Sequence, residues 1–254
     1  MSTRLAPNTP GVGRLIDRTK QQSFTFNGKR LTGHAGDTLA SALLANDQML
    51  MGRSFKYHRP RGVVASGAEE PNALVGLGQG DRFEPNQRAT TTELFDGLSA
   101  QSQNHWPSLE NDIGAVNSAF ANFLPAGFYY KTFMAPRPFW KHIYEPFIRK
   151  SAGLGKAPDP ETRDADTYEH FHAQVDVLVI GGGIAGLRAA LEGMENVTLR
   201  SRCMGAGVYD QGYVLAYERL SDHAPGTKGP RHRLWRIRAG QVITATGAIE
   251  RPLS

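Results

Sequence analysis

The chain has 254 residues, 40% hydrophobic and 21% charged, with a formal net charge of +5 and a pI near 9.4. This composition excludes fibrous and disordered classes and allows one large or two small domains; the basic residues are dispersed, so the charge fits a nucleotide or an acidic partner subunit as well as nucleic acid. The single cysteine, Cys203, excludes an internal disulfide and any four-thiolate metal or cluster site, and the lack of an apolar leader or of about 18 consecutive apolar residues predicts a soluble cytoplasmic protein without a membrane segment.

Residues 1–20 hold Pro7, Pro10, Gly11 and Gly13 among scattered charges and read as an extended arm. From Ser23 the chain alternates, with Phe24 and Phe26 on one face, then Asn27-Gly28, then a second extended run from Leu31. Asn-Gly between alternating segments predicts a hairpin, because both residues tolerate the positive φ of a type I′ turn. A helix follows, with Asp37 or Thr38 as N-cap, Leu39, Leu43 and Leu44 on its apolar face and Asn46 at its end. A hairpin followed by a helix is the start of a β-grasp domain, placed over 21–100.

Residues 101–172 contain seven prolines, from Pro107 to Pro160, which are expected to break any long helix. Trp106, Phe120, Phe123, Phe128, Tyr129, Tyr130, Phe133, Phe139, Trp140, Tyr144 and Phe147 are too many aromatics for a free linker. The segment reads as a connector whose rings pack against the chain's own domains, or alternatively against a partner subunit.

The run Val175-Asp176-Val177-Leu178-Val179-Ile180 predicts a strand buried on both faces of a parallel sheet. It enters Gly181-Gly182-Gly183-Ile184-Ala185-Gly186, a G-x-G-x-x-G turn, and then a helix former from Leu187 to Leu191 that ends near Gly193. In such a turn the first glycine permits the tight bend, the second lets backbone approach a pyrophosphate, and the third lets helix and strand pack closely. A short strand ending in Ala245-Thr246-Gly247 has the form of a second dinucleotide fingerprint. The candidate cofactor-binding residues are therefore Gly181, Gly182, Gly183, Ile184, Ala185, Gly186, Ala245, Thr246 and Gly247.

One part is missing. An acidic residue should end the second strand about 20 residues beyond the glycines, but Arg200, Ser201, Arg202, Cys203 and Met204 stand there. Glu192 and Glu195 come too early and Asp210 too late. Either the unit is abbreviated or a segment has been lost.

Phe24–Lys29, Gly36–Asn46, Gly52–Gly62, Glu70–Leu74, Gly127–Met134, the glycine motif and Ala245–Pro252 together resemble the N-terminal region of the α subunit of heterotetrameric sarcosine oxidase. The resemblance covers nearly the whole chain and, on the family's proportions, about the first quarter of an α subunit. It implies a fold of α+β with α/β: a β-grasp, ferredoxin-like domain without cluster ligands, then an abbreviated Rossmann-type FAD/NAD(P)-binding domain over 173–254. It also implies NAD or FAD as cofactor, a flavin-bearing β subunit and small subunits as partners, and oxidation of sarcosine, a secondary amine, with peroxide as product. The chain is not expected to perform that reaction alone. Met194 to Leu199 aligns by resemblance with a later strand, which supports an internal loss. In cluster-bearing relatives the loop near Ala65-Ser66-Gly67-Ala68 carries cysteines; here it has none, so no iron–sulfur cluster is expected.

Competing readings are a non-catalytic interaction module, or truncated remnant, that docks on the β subunit, and nucleic-acid binding through Arg53, Lys56, His58, Arg59 and Arg61. The second is disfavoured because a basic loop is more often a solvated face or a subunit contact. His34, His58, His170 and His172 lack metal-ligand spacing, so no metal is expected. Asp176 reads as structural and Cys203 as an ordinary thiol. No Ser/His/Asp or Cys/His arrangement identifies a catalytic residue.

Overall fold

A computed structural model describes residues 4–6, 9, 13–119, 121, 135–151, 164–191, 196–224 and 226–247. Pro7, Pro10 and Gly11 of the arm, six of the connector aromatics between Phe120 and Phe133, the segment from Glu192 to Glu195 and the residues after Gly247 lie outside these. The chain divides into two units, Met1–Asp164 and Ala165–Ser254. Among the described residues, no helix is long and apolar enough to cross a membrane.

In the first unit β1 (Asp17–Phe26) and β2 (Lys29–Ala35) form the expected antiparallel hairpin. Asn27 and Gly28 have φ of 50° and 78°, the two positive values that a type I′ turn needs. Phe24 and Phe26 alternate inward and are 1% and 2% exposed. α1 (Leu39–Ala45) is capped by Thr38 rather than Asp37. The Thr38 hydroxyl accepts the Ser41 N–H and the Ser41 hydroxyl accepts the Thr38 N–H, a reciprocal box. Leu39 and Leu43 are fully buried against Phe24, Met51 and Val75, while Leu44 is half-buried.

The remaining strands are β3 (Gly52–Arg53) and β4 (Pro60–Arg61), which pair with each other, then β5 (Leu74–Leu77), β6 (Glu84–Arg88) and β7 (Ser99–Gln101). The five-stranded sheet has the order β2-β1-β7-β5-β6, with β7 parallel to β1 and the other pairs antiparallel.

The prolines do not prevent helix in the connector. A helical run extends from Arg137 to Ser151, with a π-helical section over Trp140–Tyr144 before α2 (Glu145–Ser151). Pro138 lies in the first turn, where its missing N–H costs nothing, and Pro146 stands near the start of α2. Trp106, Phe139 and Trp140 are exposed, against the expected burial within the chain.

The second unit is built on β8 (Tyr168–Ile180), α3 (Ile184–Leu191), β9 (Cys203–Tyr209), β10 (Tyr213–Arg219) and β11 (His232–Thr244). The sheet order is β8-β11-β10-β9; β8 and β11 run parallel, and the other pairs are antiparallel. Val214, Ala216, Trp235 and Ile237 form its core. Two expectations are corrected here. β8 is not buried on both faces, since it stands at the end of a mixed sheet and Val177 is half exposed. Residues 197–200 form no strand; pairing begins at the Arg219 N–H to Arg202 carbonyl bond, and the strand proper at Cys203.

Candidate functional site

The two glycine segments are brought together by the parallel pairing of β8 with β11. Ile180 stands opposite Thr244, and the Ala245 N–H donates to the Ile180 carbonyl at 2.7 Å, so both chains leave the sheet side by side at its C-terminal edge. That edge is where parallel α/β units hold ligands. Gly181, Gly182, Gly183, Ala185, Ala245, Thr246 and Gly247 line a recess of about 380 Å³ there.

The glycines do not all have the same reason to be glycine. Gly181 has φ of 129°, and a Cβ on it would stand 2.1 Å from the Ala245 carbonyl oxygen. A Cβ on Gly186 would stand 2.1 Å from the Gly181 carbonyl oxygen. Both are demanded by the chain itself: the first by the turn, the second by the close approach of α3 to the strand. Around Gly182 and Gly183, in contrast, a Cβ would meet nothing within 4 Å, and neither has a left-handed φ. The Gly183 carbonyl accepts the Leu187 N–H at 2.9 Å, which makes Gly183 the N-cap and leaves the first N–H groups of α3 without intrahelical partners, next to the recess. A dinucleotide pyrophosphate fits these features: bare backbone, free N–H donors and the positive end of a short helix.

Among the described residues of the stretch where the ribose partner is expected, 196–204, none is acidic. Arg200 lies 5.4 Å from the ring of Trp235 and 3.9 Å from Glu218, and Cys203 and Met204 belong to β9 at the opposite edge of the sheet from β8. Asp176 projects exposed from β8.

The other candidates resolve into structural roles. Arg53 donates to the Leu109 carbonyl at 2.9 and 2.8 Å and lies 3.8 Å from buried Asp112, and His58 Nδ1 is 2.7 Å from the same carboxylate. Lys56 and Arg59 both stack on Tyr57 at 4.8 Å, and Arg61 binds Asn72. Most of the basic cluster is thus spent inside the fold rather than presented as a patch. His170 meets Arg236 at 3.3 Å, while His172 is exposed. Ser102 Oγ is 2.7 Å from His105 Nε2, a pair that sequence reasoning did not anticipate. No carboxylate orients His105 Nδ1, and Ser102 is committed to Asn27 in the hairpin turn.

Three carboxylates that each hold several partners, Glu70 and Asp37 buried and Asp222 part-buried, also escaped the sequence reading. Glu70, 1% exposed, accepts the N–H groups of Val64 and Ala65 on one oxygen and of Asn72 and Ala73 on the other. Asp37 holds Arg4, Ser41 and the His34 N–H. Asp222 holds His232, Arg231 and Arg219, with Tyr217 hydrogen-bonded to the other nitrogen of His232. Burial raises the Asp222 carboxyl, but the imidazole and the two guanidinium groups outweigh it and hold it far below the usual range. The polar residues around each were visible in sequence, but their meeting depends on register.

Residues 19–105 match the family of the 2Fe-2S iron-sulfur cluster binding domain. This supports a ferredoxin-like N-terminal domain and corrects the expectation of a domain outside iron–sulfur chemistry, because the family concerned is a cluster-binding one. The matched segment itself contains no cysteine, so its side chains offer none of the usual thiolate ligands. The chain is 48% identical to sarcosine oxidase subunit alpha of Rhizobium meliloti (strain 1021), over 94% of this chain and 29% of that protein. It is 29% identical to the protein of the same name from Corynebacterium sp. (strain U-96), over 95% of this chain and 25% of the relative. The chain therefore spans between a quarter and a third of the length of these relatives. Among solved structures it is similar to L-proline dehydrogenase from P. horikoshii, at 19% identity and a TM-score of 0.48, covering 93% of this chain and 43% of that one.

Proposed function

We propose that this chain, a sequence relative of sarcosine oxidase alpha subunits over nearly all its length, is part of an amine oxidoreductase subunit and contributes a pyrophosphate cradle for an NAD- or FAD-type dinucleotide. The observation that carries the reading is the space at Gly183. Among the described residues no atom within 4 Å forbids a side chain there, and no positive φ requires a glycine. A ligand backed against the main chain does require one. Gly182, Gly183 and the N-terminus of α3 would hold the pyrophosphate from one side, with Ala245, Thr246 and Gly247 closing the other. The dinucleotide, when bound, supplies the electron-accepting ring; the chain's own residues position it and exclude water from one flank.

The amine, sarcosine or another secondary amine, and the peroxide product belong to the assembled enzyme in this reading, as do a flavin-bearing β subunit and smaller subunits. Equilibrium dialysis of the purified chain against NAD and FAD tests the cradle: saturable binding is expected, and its absence with both would remove the dinucleotide from the account.

A second reading has its own support. Phe139, Trp140 and Ile143 are 44%, 41% and 50% exposed on one short helical run, an apolar surface of the kind that marks subunit contacts. If the chain acts only as a docking module, it would co-purify with a flavin-containing subunit while carrying no nucleotide.

A further inference from the structure

The tip of the β3–β4 hairpin, residues 54–59, is folded back on itself. The Ser54 N–H donates to the Arg59 carbonyl, the Arg59 N–H to the Ser54 hydroxyl, and the His58 N–H to the Ser54 carbonyl. A 3-10 helix, Ile113–Ser118, clasps this tip. Asn117 donates to the Lys56 carbonyl at 3.4 Å and Ser118 to the Tyr57 carbonyl at 3.1 Å. Gly114 lies so close to the His58 ring that a Cβ there would stand 2.3 Å from it.

Asp112, its side chain fully buried, pins the two pieces together. One oxygen accepts the N–H groups of Trp106 and Gly114; the other lies 2.7 Å from His58 Nδ1 and 3.8 Å from Arg53. His58 holds a positive φ of 53° in this arrangement, a conformation that persists only where the surroundings over-determine it. The frame is therefore rigid before anything binds to it, which lowers the ordering cost of an interface.

The side chains that this frame leaves outside are large and apolar. Phe55, Trp106, Ile113 and Val116 are 55%, 67%, 59% and 58% exposed. Residues three apart eclipse in a 3-10 helix, so Ile113 and Val116 share one face. The Ile113 N–H donates to the Trp106 carbonyl at 2.9 Å, and Phe55 directly precedes the Lys56 that Asn117 holds. Exposed apolar groups gathered on a fixed frame mark a contact surface.

Charge selects the kind of partner. Arg53 and His58 are used on Asp112, while Lys56 and exposed Arg59 both stand 4.8 Å from the Tyr57 ring. Lys56, Arg59 and Arg61 outnumber Glu110, the other carboxylate of this piece, so its border is basic. A basic border repels a second copy of itself and attracts an acidic surface.

We infer that the clasped hairpin docks another subunit of the oxidoreductase proposed above, an inference that rests on that reading. Phe55, Trp106, Ile113 and Val116 enter an apolar hollow of the partner, and Lys56 and Arg59 meet its acidic rim.

The test uses the intact 254-residue chain. The probes are the subunits that accompany sarcosine oxidase subunit alpha in Rhizobium meliloti (strain 1021), the protein to which this chain is 48% identical. Light scattering and calorimetric titration read the complex. The wild type is expected to bind, and Phe55→Ser combined with Ile113→Ser to weaken binding at least about tenfold. Arg59→Glu is expected to weaken it and to flatten its loss with rising salt. Leu15→Ser, at a 90% exposed leucine outside the clasped piece, is expected to bind as the wild type does. Melting curves check that each variant folds, since exposed side chains contribute little to stability. Wild-type affinity in the folded Phe55→Ser, Ile113→Ser variant overturns the inference and leaves the subunit reading standing. A wild-type chain that binds none of these subunits, whether monomeric or paired with itself, ends the subunit reading and the inference with it.

Discussion

The backbone of Gly181 passes so close to Ala245 that a Cβ on Gly181 would stand 2.1 Å from the Ala245 carbonyl oxygen. This contact locks the strand that enters the glycine turn to the strand that ends the sheet, so the recess is set by packing before any ligand arrives. Gly181→Ala is expected to destabilise the second unit by at least about 2 kcal/mol, from the strained φ and the backbone clash together. Urea unfolding followed by the fluorescence of buried Trp235 would read the loss; an unchanged midpoint would show that the two strands are not locked there.

Arg4 reaches from the N-terminal arm to the buried carboxylate of Asp37 with two hydrogen bonds, at 3.0 and 2.7 Å. Burial raises the Asp37 carboxyl, yet Arg4, Ser41 and the His34 N–H hold it below its ordinary value. Arg4→Ala leaves a buried charge short of its cation and should cost about 2 kcal/mol in the first unit. A double-mutant cycle with Asp37→Asn is expected to be strongly non-additive, because the double variant removes the charge as well. Additive losses would mean that the pair is not coupled.

Glu70 is also depressed: burial raises it, and the N–H groups of Ala65, Val64, Asn72 and Ala73 lower it further than burial raises it. A carboxyl whose folded pKa lies below its unfolded value of about 4.3 contributes its full stabilisation above that value and loses it as pH falls through the folded pKa. Glu70→Gln should therefore destabilise the first unit by about 2 kcal/mol at pH 7, with the gap to the wild type narrowing below about pH 4. Melting curves from pH 3 to pH 7 check it, and a pH-independent gap would contradict the assignment.

The Cys203 thiol is pushed up to about 11 by burial, with the charge of Glu218 adding to it. Alkylation by iodoacetamide at pH 8 is expected to be at least about tenfold slower than that of free cysteine, and to accelerate only near pH 10 and above. A rate equal to free cysteine at pH 8 would show the thiol in a different environment.

How much of this was legible in the sequence depends on whether the signal was local. The Asn27-Gly28 turn and the helix after Thr38 form where their own residues dictate, through φ and through caps that reach only three positions. The glycine turn was equally local. What sequence could not give was the second unit's topology. The β-branched run before Gly181 has the composition of a central strand, yet its burial depends on what lies beside it, and β9 pairs with β10 instead of β8. The three carboxylate networks were invisible for a similar reason: Asp37 meets Arg4 across more than thirty positions of chain, and the Asp222 network needs β10 and β11 in register. The exposed rings of Trp106, Phe139 and Trp140 show that aromatic content alone does not tell an inward face from an outward one.

Gly183→Ala tests the proposed cradle most directly, through two readings on one protein, thermal stability and dinucleotide affinity. An N-cap Gly to Ala change costs no more than about 1 kcal/mol, and the open space around Gly183 adds no clash. The predicted result is a fold nearly as stable as the wild type, with NAD and FAD affinity reduced by about tenfold or more, since a methyl group would stand where the pyrophosphate meets the backbone. Unchanged affinity in the folded variant would contradict the cradle, because a glycine that the chain's own packing does not require would then not be required by a ligand either.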